Sequence, residues 1–185
     1  MIADAVEAIR AGEVVGLPTD TVYGIGVDPL NPDAVEKMFV IKGRPANKPI
    51  GLLVATTEQA QAIGQITDTA LALARDHWPG ALTLVVPPNV VLARWVGDAQ
   101  AQTVGIRVPD HPAALDLLSA TGPLAVTSAN RSGGPELMDD VAASAEFGDE
   151  VAVYVPGVSP GGEASTVVDA TTPQLKVLRP GPVRI

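Results

Sequence analysis

Short apolar runs alternate with segments of helical periodicity along nearly the whole chain of 185 residues. The spacing of apolar residues predicts helices over 2–9, 32–41, 57–63, 68–77, 112–119 and 139–146. Apolar runs bounded by turn residues predict strands over 13–17, 49–54, 81–86, 103–108, 124–127, 151–155, 166–169 and 176–178. Intermixed helices and strands with unequal connections predict one α/β domain, over 1–185, built on a twisted, mixed sheet.

Six short polar motifs adjoin these elements, most of them at the end of a predicted strand. They read PTDTVYGIG (18–26), KGRPANKP (42–49), TVGIRVP (103–109), TSANRSG (127–133), STVVD (165–169) and LRPG (178–181). Each motif supplies hydroxyl groups, an Arg or a Lys, or backbone that glycine leaves accessible. Polar side chains grouped on loops of a rigid scaffold are typical of binding sites. The motifs together favour one cleft that binds a phosphate and a carboxylate.

The charge of the chain argues against a protein that grips nucleic acid. The net charge is -9, the pI is near 4.5, and aromatic residues make up only 3%. Nucleic-acid-binding proteins usually carry a basic face or aromatic stacking platforms. Half of the twelve Lys and Arg residues lie in or beside the motifs, namely Lys42, Arg44, Lys48, Arg107, Arg131 and Arg179. This placement favours a small anion as the ligand, although a few cations also fall in loops by chance.

Several other classes of protein are disfavoured by the sequence. The chain has no cysteine, no apolar run of about 20 residues and no signal-peptide pattern. A cytoplasmic location without membrane attachment is therefore expected. Neither GxxxxGK[ST] nor GxGxxG occurs, and His77 and His111 are isolated from partners with metal-ligand spacing. No protein-held metal site is predicted.

The motif KGRPANKP places three cations within seven residues. Lys42, Arg44 and Lys48 repel one another unless an anion lies among them, and no acid occurs between Ile41 and Ala55. A phosphate suits Arg44, whose guanidinium can fork onto two oxygens. The end of a helix also attracts cations, by about 0.3–1 kcal/mol each, and this structural explanation suits Lys42 best.

The motif TVGIRVP places Thr103, Gly105 and Arg107 on one face of a strand, because alternate residues share a face. A buried strand arginine needs a partner. Two partners are possible at this point, namely a structural carboxylate of the protein or the carboxylate of a ligand.

Three further motifs are rich in hydroxyl groups. Thr19, Thr21 and Tyr23 share one side if their segment is extended, although ordinary strand formers on an edge would look the same. TSANRSG and STVVD supply hydroxyls next to glycine, which is equally typical of turns and helix caps.

The order and wording of all six motifs resemble the YrdC-like threonylcarbamoyl-AMP synthases over about residues 5 to 183. The resemblance implies an open α/β sheet around a large concave cavity. It also implies synthesis of L-threonylcarbamoyl-AMP from L-threonine, bicarbonate and ATP, with release of pyrophosphate. The residues that it implies for L-threonine are Thr19, Arg107, Thr127 and Ser165. Those that it implies for ATP are Lys42, Arg44, Thr103, Ser128, Asn130 and Arg179.

The resemblance implies no covalent nucleophile, and no catalytic residue is assigned. Lys42 and Arg44 are expected to act by positioning and by offsetting phosphate charge, with Mg²⁺ accompanying ATP. The length resembles the short, single-domain form of the family. That form implies a separate transferase complex, which would move the threonylcarbamoyl group to adenosine 37 of tRNA to make t6A. Direct contact with tRNA is expected to be weak or indirect.

Two other functions remain open from the sequence. One is a module that binds double-stranded RNA or tRNA on the concave face. The other is the carbamoyltransferase domain of larger enzymes that use carbamoyl phosphate.

Overall fold

The computed structural model describes residues 1–43 and 49–185. The helices are α1 (Ile2–Arg10), α2 (Pro32–Lys42), α3 (Thr57–Ile63), α4 (Asp68–His77), α5 (Pro112–Thr121) and α6 (Asp140–Phe147). The strands are β1 (Val15–Leu17), β2 (Gly24–Val27), β3 (Gly51–Leu53), β4 (Leu82–Val86), β5 (Val104–Arg107), β6 (Leu124–Ser128), β7 (Val153–Tyr154), β8 (Thr166–Asp169) and β9 (Lys176–Arg179). One 3-10 turn, Gly148–Glu150, follows α6.

Within the described residues, nine strands form a single sheet in the order β7-β1-β2-β6-β3-β5-β4-β8-β9. The pairs β1 with β7, β3 with β5, and β4 with β8 are parallel, and the other neighbours are antiparallel. Because β7 and β9 end the order at opposite edges, the sheet is open. The predicted α/β fold on a mixed, open sheet is confirmed.

Strand β2 was not predicted as a separate strand, since its residues fall inside the polar motif that follows β1. It pairs with β1 on one side and with β6 on the other, both antiparallel. A Cβ on Gly24 would lie only 2.8 Å from Cγ1 of Val126, so glycine permits this close pairing. The chain thus makes a hairpin around residues 18–23 and returns through the middle of the sheet.

The two faces of the sheet differ in how they are covered. One face carries the larger apolar core, in which Leu52, Leu84 and Ile106 pack with residues of α2, α3 and α4. Part of the other face is covered by α1 and α5, which pack on β1 and on Leu124. Along β4 and β8, every second residue is only half buried, as strand alternation requires when one face meets the core and the other is open. This open area is where the candidate site lies.

Short polar caps fix the ends of the helices. The side chain of Asn31 accepts hydrogen bonds from the amides of Asp33 and Ala34, both at 3.1 Å, and so starts α2. Gly43 ends α2 in the left-handed conformation, with φ of 62°. Thr56 caps α3, since its hydroxyl accepts a 3.2 Å hydrogen bond from the amide of Gln59. Among the described helices, none is both long and apolar enough to cross a bilayer.

Tyr23 lies in the core instead of beside Thr19 and Thr21. It is fully buried, and its hydroxyl donates a 2.7 Å hydrogen bond to the carbonyl oxygen of Val155. Burial, followed by the nearby charge of Asp140, raises the pKa of the phenol well above its ordinary value of 10.0. Above pH 10 the unfolded chain therefore loses a proton that the folded chain retains, and stability falls as pH rises.

Replacing Tyr23 with Phe is expected to have two separable effects. It removes the hydrogen bond to Val155 and lowers the free energy of unfolding at pH 7 by about 0.5–1.5 kcal/mol. It also removes the ionisable group, so the decline in stability above pH 10 becomes shallower. Urea unfolding of both proteins from pH 7 to pH 11 measures the two effects. An equally steep decline in the variant would contradict the assignment.

Candidate active site

A cavity of about 800 Å³ occupies the open part of the sheet face. This volume falls in the range of about 300–1,000 Å³ that small-molecule sites usually have. Its floor crosses the middle strands at Gly24, Gly51 and Gly105. A Cβ on Gly51 would lie 3.0 Å from the carbonyl oxygen of Gly105, so the two strands leave no room for one there. The fold thus builds the concave cavity that the resemblance implied.

Most of the predicted site residues lie on the walls of this one cavity. Those that line it are Thr19, Thr103, Arg107, Thr127, Ser128, Ser165 and Arg179. They come from five of the six motifs that sequence analysis identified. Lys42 and Asn130 are not among the lining residues, and Arg44 lies outside the residues that the structure describes, as does Lys48. The individual roles of these residues remain predictions.

Arg107 is the most buried cation of the cavity wall, with 8% of its surface exposed. Its Nε donates to the carbonyl oxygen of Gly80 at 3.0 Å, and Nη1 approaches Oγ1 of Thr21 at 3.4 Å. Its Nη2 forms an ion pair with the carboxylate of Asp20. Of the two partners that the sequence left open, a carboxylate of the protein is therefore present.

The guanidinium of Arg107 has more N–H groups than its bonds to Asp20, Thr21 and Gly80 use. A guanidinium carries five N–H groups, and three are used by these oxygens. One N–H on each terminal nitrogen has no partner among residues 1–43 and 49–185. Two N–H groups on neighbouring nitrogens match the two oxygens of a carboxylate. Arg107 can therefore hold a ligand carboxylate while it keeps its bond to Asp20.

A second cluster on the wall joins Ser165, Thr83 and Arg179. The hydroxyls of Ser165 and Thr83 are 2.8 Å apart. Nη2 of Arg179 donates to the carbonyl oxygen of Ser165 at 2.8 Å and to its hydroxyl at 3.1 Å. A residue predicted for L-threonine and one predicted for ATP thus touch each other. This contact is where the two predicted subsites meet.

Lys42 lies behind the wall that Ser128 contributes, with 4% of its surface exposed. Its Nζ donates to the carbonyl oxygen of Ser128 at 2.6 Å, to that of Asn130 at 2.9 Å and to the Asn130 side-chain oxygen at 2.9 Å. The Ser128 hydroxyl donates to the same side-chain oxygen at 2.7 Å. The lysine therefore fixes the conformation of the loop after β6, which borders the cavity.

The hydroxyl of Thr19 holds the turn before β2. It donates to the carbonyl oxygen of Val22 at 2.8 Å and accepts the amide of Thr21 at 3.1 Å. The amide of Thr19 in turn donates to Oγ of Ser159 at 3.0 Å. These bonds fix the turn and so hold the hydroxyl of Thr21 next to Arg107.

Arg131 has a structural position outside the cavity. It pairs with Glu150, bonds to the carbonyl oxygen of Ile41, and lies 4.8 Å over the ring of Phe147. These contacts fasten the loop after β6 to the end of α2 and to α6. Its position in a motif does not make it a ligand of the cavity.

Sequence reasoning missed several polar residues of the site, namely Asp20 behind the wall and Thr21, Thr83, Asp98, Glu136 and Asp169 on it. Strand alternation could have found Thr83 and Asp169, because each follows a buried residue along its strand. The hydroxyl and amide of Thr171 hydrogen-bond Asp169 and lower the pKa of its carboxyl. Across the described residues, no three acidic or histidine side chains come together as metal ligands.

An open α/β sheet with a cavity that combines hydroxyls and a partly bonded arginine has the chemistry to suit small carboxylate or phosphate ligands. The model of the Sua5/YciO/YrdC family, described as "Telomere recombination", matches residues 7–181. The chain belongs to this family, as its motifs predicted.

Relatives and solved structures agree with this assignment. A protein of Mycobacterium tuberculosis, provisionally named a threonylcarbamoyl-AMP synthase, is 46% identical over 98% of this chain and 84% of its own length. The threonylcarbamoyl-AMP synthase of Vibrio parahaemolyticus is 36% identical over 94% of this chain and 95% of its own length. The crystal structure of Pyrococcus abyssi Sua5 with L-threonine has a TM-score of 0.89 and 37% identity. It matches 97% of this chain, which spans 54% of the P. abyssi chain.

Proposed function

We propose that this protein is an L-threonylcarbamoyl-AMP synthase. It would combine L-threonine, bicarbonate and ATP into threonylcarbamoyl-AMP and release pyrophosphate. The threonylcarbamoyl group would then be used for the t6A modification of tRNA. The observation that carries the proposal is Arg107, which lines a hydroxyl-rich cavity with two N–H groups unused by the described residues, in a chain 46% identical to a relative with this assignment. Relatives named for the reaction support the enzyme class that the motifs predicted.

The L-threonine subsite would lie between Arg107 and Ser165. Arg107 would bind the carboxylate with its two remaining N–H groups. Ser165 and Thr127 would supply polar contacts to the amine or the hydroxyl of the amino acid. Thr19 would act through the turn that it fixes, since its hydroxyl proton is committed to Val22. The P. abyssi Sua5 complex with L-threonine supports an amino-acid site in a fold of this kind.

The nucleotide subsite would lie along the loop after β6, toward Thr103 and Arg179. Ser128 borders the cavity there, and Lys42 and Asn130 hold the loop in place. Arg179 would offset phosphate charge, together with Arg44. Since no cluster of metal-ligating side chains occurs in the described residues, Mg²⁺ would arrive bound to the phosphates of ATP.

The proposed chemistry needs positioning and charge neutralisation but no covalent intermediate with the protein. The neutral amine of L-threonine adds to CO₂ derived from bicarbonate and gives a carbamate. A carbamate oxygen then attacks the α-phosphorus of ATP, and pyrophosphate leaves. Holding the carbamate next to the α-phosphorus supplies most of the rate advantage, because the two anions otherwise repel each other. The contact between Arg179 and Ser165 places cationic charge at this junction.

The product is a reactive mixed anhydride that must be passed on. We therefore propose a separate transferase complex as the partner that moves the threonylcarbamoyl group to tRNA. The net charge of -9 favours this indirect route over direct binding of tRNA to the cavity.

An omission series tests the proposal. Purified protein receives L-threonine, bicarbonate and Mg²⁺·ATP, and pyrophosphate release is measured. We expect release only when all three substrates are present. Release without L-threonine or without bicarbonate would contradict the proposal. If carbamoyl phosphate replaces bicarbonate as a required substrate, the carbamoyltransferase alternative is correct instead. Salt-dependent binding of tRNA without pyrophosphate release would favour the RNA-binding alternative.

A further inference from the structure

We infer that Asp20 is a positioning residue for the substrate carboxylate, because it holds the Arg107 guanidinium in the orientation that binds that carboxylate. This inference rests on the proposed function and deepens it. Asp20 is not among the residues that line the cavity, whereas Arg107, its ion-pair partner, is. Asp20 therefore acts through Arg107 and does not touch the ligand itself.

The contacts of Arg107 show why Asp20 decides its orientation. The side chains of Arg107 and Asp20 are 9% and 14% exposed, so little water competes with their ion pair. The other two anchors are neutral oxygens, the Gly80 carbonyl at 3.0 Å and the Thr21 hydroxyl at 3.4 Å. A charge-assisted bond is roughly twice as strong as a neutral one. Asp20 is thus the strongest of the three contacts that fix the guanidinium plane.

The local charges point the same way. Burial lowers the pKa of Arg107, the charge of Asp20 raises it, and the positive charge of Arg179 lowers it further. Without Asp20, Arg107 would lose the carboxylate that offsets its burial and the positive charge of Arg179. Arg107 would then turn toward solvent or toward the phosphates of ATP, and its two N–H groups would no longer converge on a carboxylate.

The opposite effect would be competition between Asp20 and the substrate carboxylate for Arg107, and the same titration tests it. Asp20 carries the same charge as the substrate carboxylate and could compete with it for Arg107. In that case removing the Asp20 charge would tighten the binding of L-threonine. Arg107 uses three N–H groups for the protein and has two others for a ligand. Because Asp20 and the ligand would use different N–H groups, we expect Asp20 to position the guanidinium and not to compete with the ligand.

Calorimetric titration of L-threonine and of Mg²⁺·ATP into Asp20→Asn tests the inference. We expect the Kd for L-threonine to rise at least tenfold, while the Kd for ATP changes less than threefold. Asp20→Glu keeps the charge and should recover most of the affinity. Asp110→Asn, which alters an exposed carboxylate, serves as the matched control and should leave both Kd values unchanged.

A double-mutant cycle with Arg107→Lys separates positioning from a general effect on the fold. Lysine cannot form the fork, so Asp20→Asn in that background should change the L-threonine Kd less than threefold. Equal losses in both backgrounds, or tighter binding by Asp20→Asn, would overturn the inference. If Asp20→Asn does not fold, Asp20→Glu and Arg107→Lys still test it, because Asp20→Glu must then bind better than Arg107→Lys. If the wild-type protein does not bind L-threonine, the proposed function fails. If the wild type binds L-threonine and Asp20→Asn binds it as well or more tightly, only the inference about Asp20 fails.

Discussion

Replacing Arg107 with Ala is expected to weaken the binding of L-threonine by at least about 100-fold. Truncating one partner of a buried, hydrogen-bonded charge pair typically costs about 2–5 kcal/mol in binding, much of it from the charge left unpaired. The other arginine among the described residues of the wall, Arg179, is anchored through Nε and Nη2 to Ser165 and is proposed for ATP, so we do not expect it to replace Arg107. Calorimetric titration of L-threonine measures the loss directly.

Two further variants separate binding from folding in this experiment. Arg107→Ala also leaves Asp20 without its partner, so we expect the free energy of unfolding to fall by about 1–3 kcal/mol. Arg107→Lys keeps a positive charge near Asp20 and should be more stable, yet still bind L-threonine at least tenfold more weakly, because an ammonium cannot fork. Arg131→Ala removes an arginine outside the cavity and should bind L-threonine as the wild type does. Normal binding by Arg107→Ala would show that the carboxylate lies elsewhere.

Replacing Lys42 with Met is expected to damage both stability and the binding of ATP. The ammonium donates to oxygens of Ser128 and Asn130, and its loss removes these charge-assisted bonds from a buried site and leaves the Asn130 carbonyl oxygen without this donor. An unmet buried polar group costs about 1–3 kcal/mol, so we expect the free energy of unfolding to fall by about 2–3 kcal/mol. The loop after β6 would lose its conformation, and the Kd for ATP should rise at least tenfold, more than the Kd for L-threonine.

The matched control for Lys42→Met is Lys37→Met in the same helix. Lys37 pairs with Glu13 at the surface, where both side chains are about two fifths exposed. Exposed pairs of this kind contribute about 0–1 kcal/mol, so this variant should keep its stability and bind ATP normally. Urea unfolding and ATP titration of both variants give the comparison. Equal effects at positions 37 and 42 would show that Lys42 has no special role in the loop.

Local periodicity predicted the fold class and the shared face of one strand in the site, whereas most of the site residues were predicted from the resemblance of the motifs. The spacing of Thr103, Gly105 and Arg107 fixed one face of a strand, and all three residues line the cavity. Alternation is a property of the strand itself and needs no knowledge of its neighbours. The helix caps are also local contacts, since Asn31 and Thr56 accept hydrogen bonds from amides two or three residues away.

Contacts between distant parts of the chain were not predictable in this way. The bond from Arg107 to Asp20 spans 87 positions, and those from Lys42 to Ser128 span 86. The sequence allowed either a protein carboxylate or a ligand beside Arg107, and only the folded sheet identifies Asp20. Strand β2 escaped prediction for a related reason. Its pairing depends on the fit of Gly24 against Val126, which a single strand does not reveal.

Mass spectrometry of the product formed from ¹³C-labelled bicarbonate tests the central claim most directly. The purified protein is incubated with L-threonine, Mg²⁺·ATP and the labelled bicarbonate, and the nucleotides are separated at once because the product is a labile anhydride. The account predicts threonylcarbamoyl-AMP carrying one ¹³C atom, together with pyrophosphate. AMP or ADP without any threonine adduct, from protein that is folded and binds ATP, would contradict it.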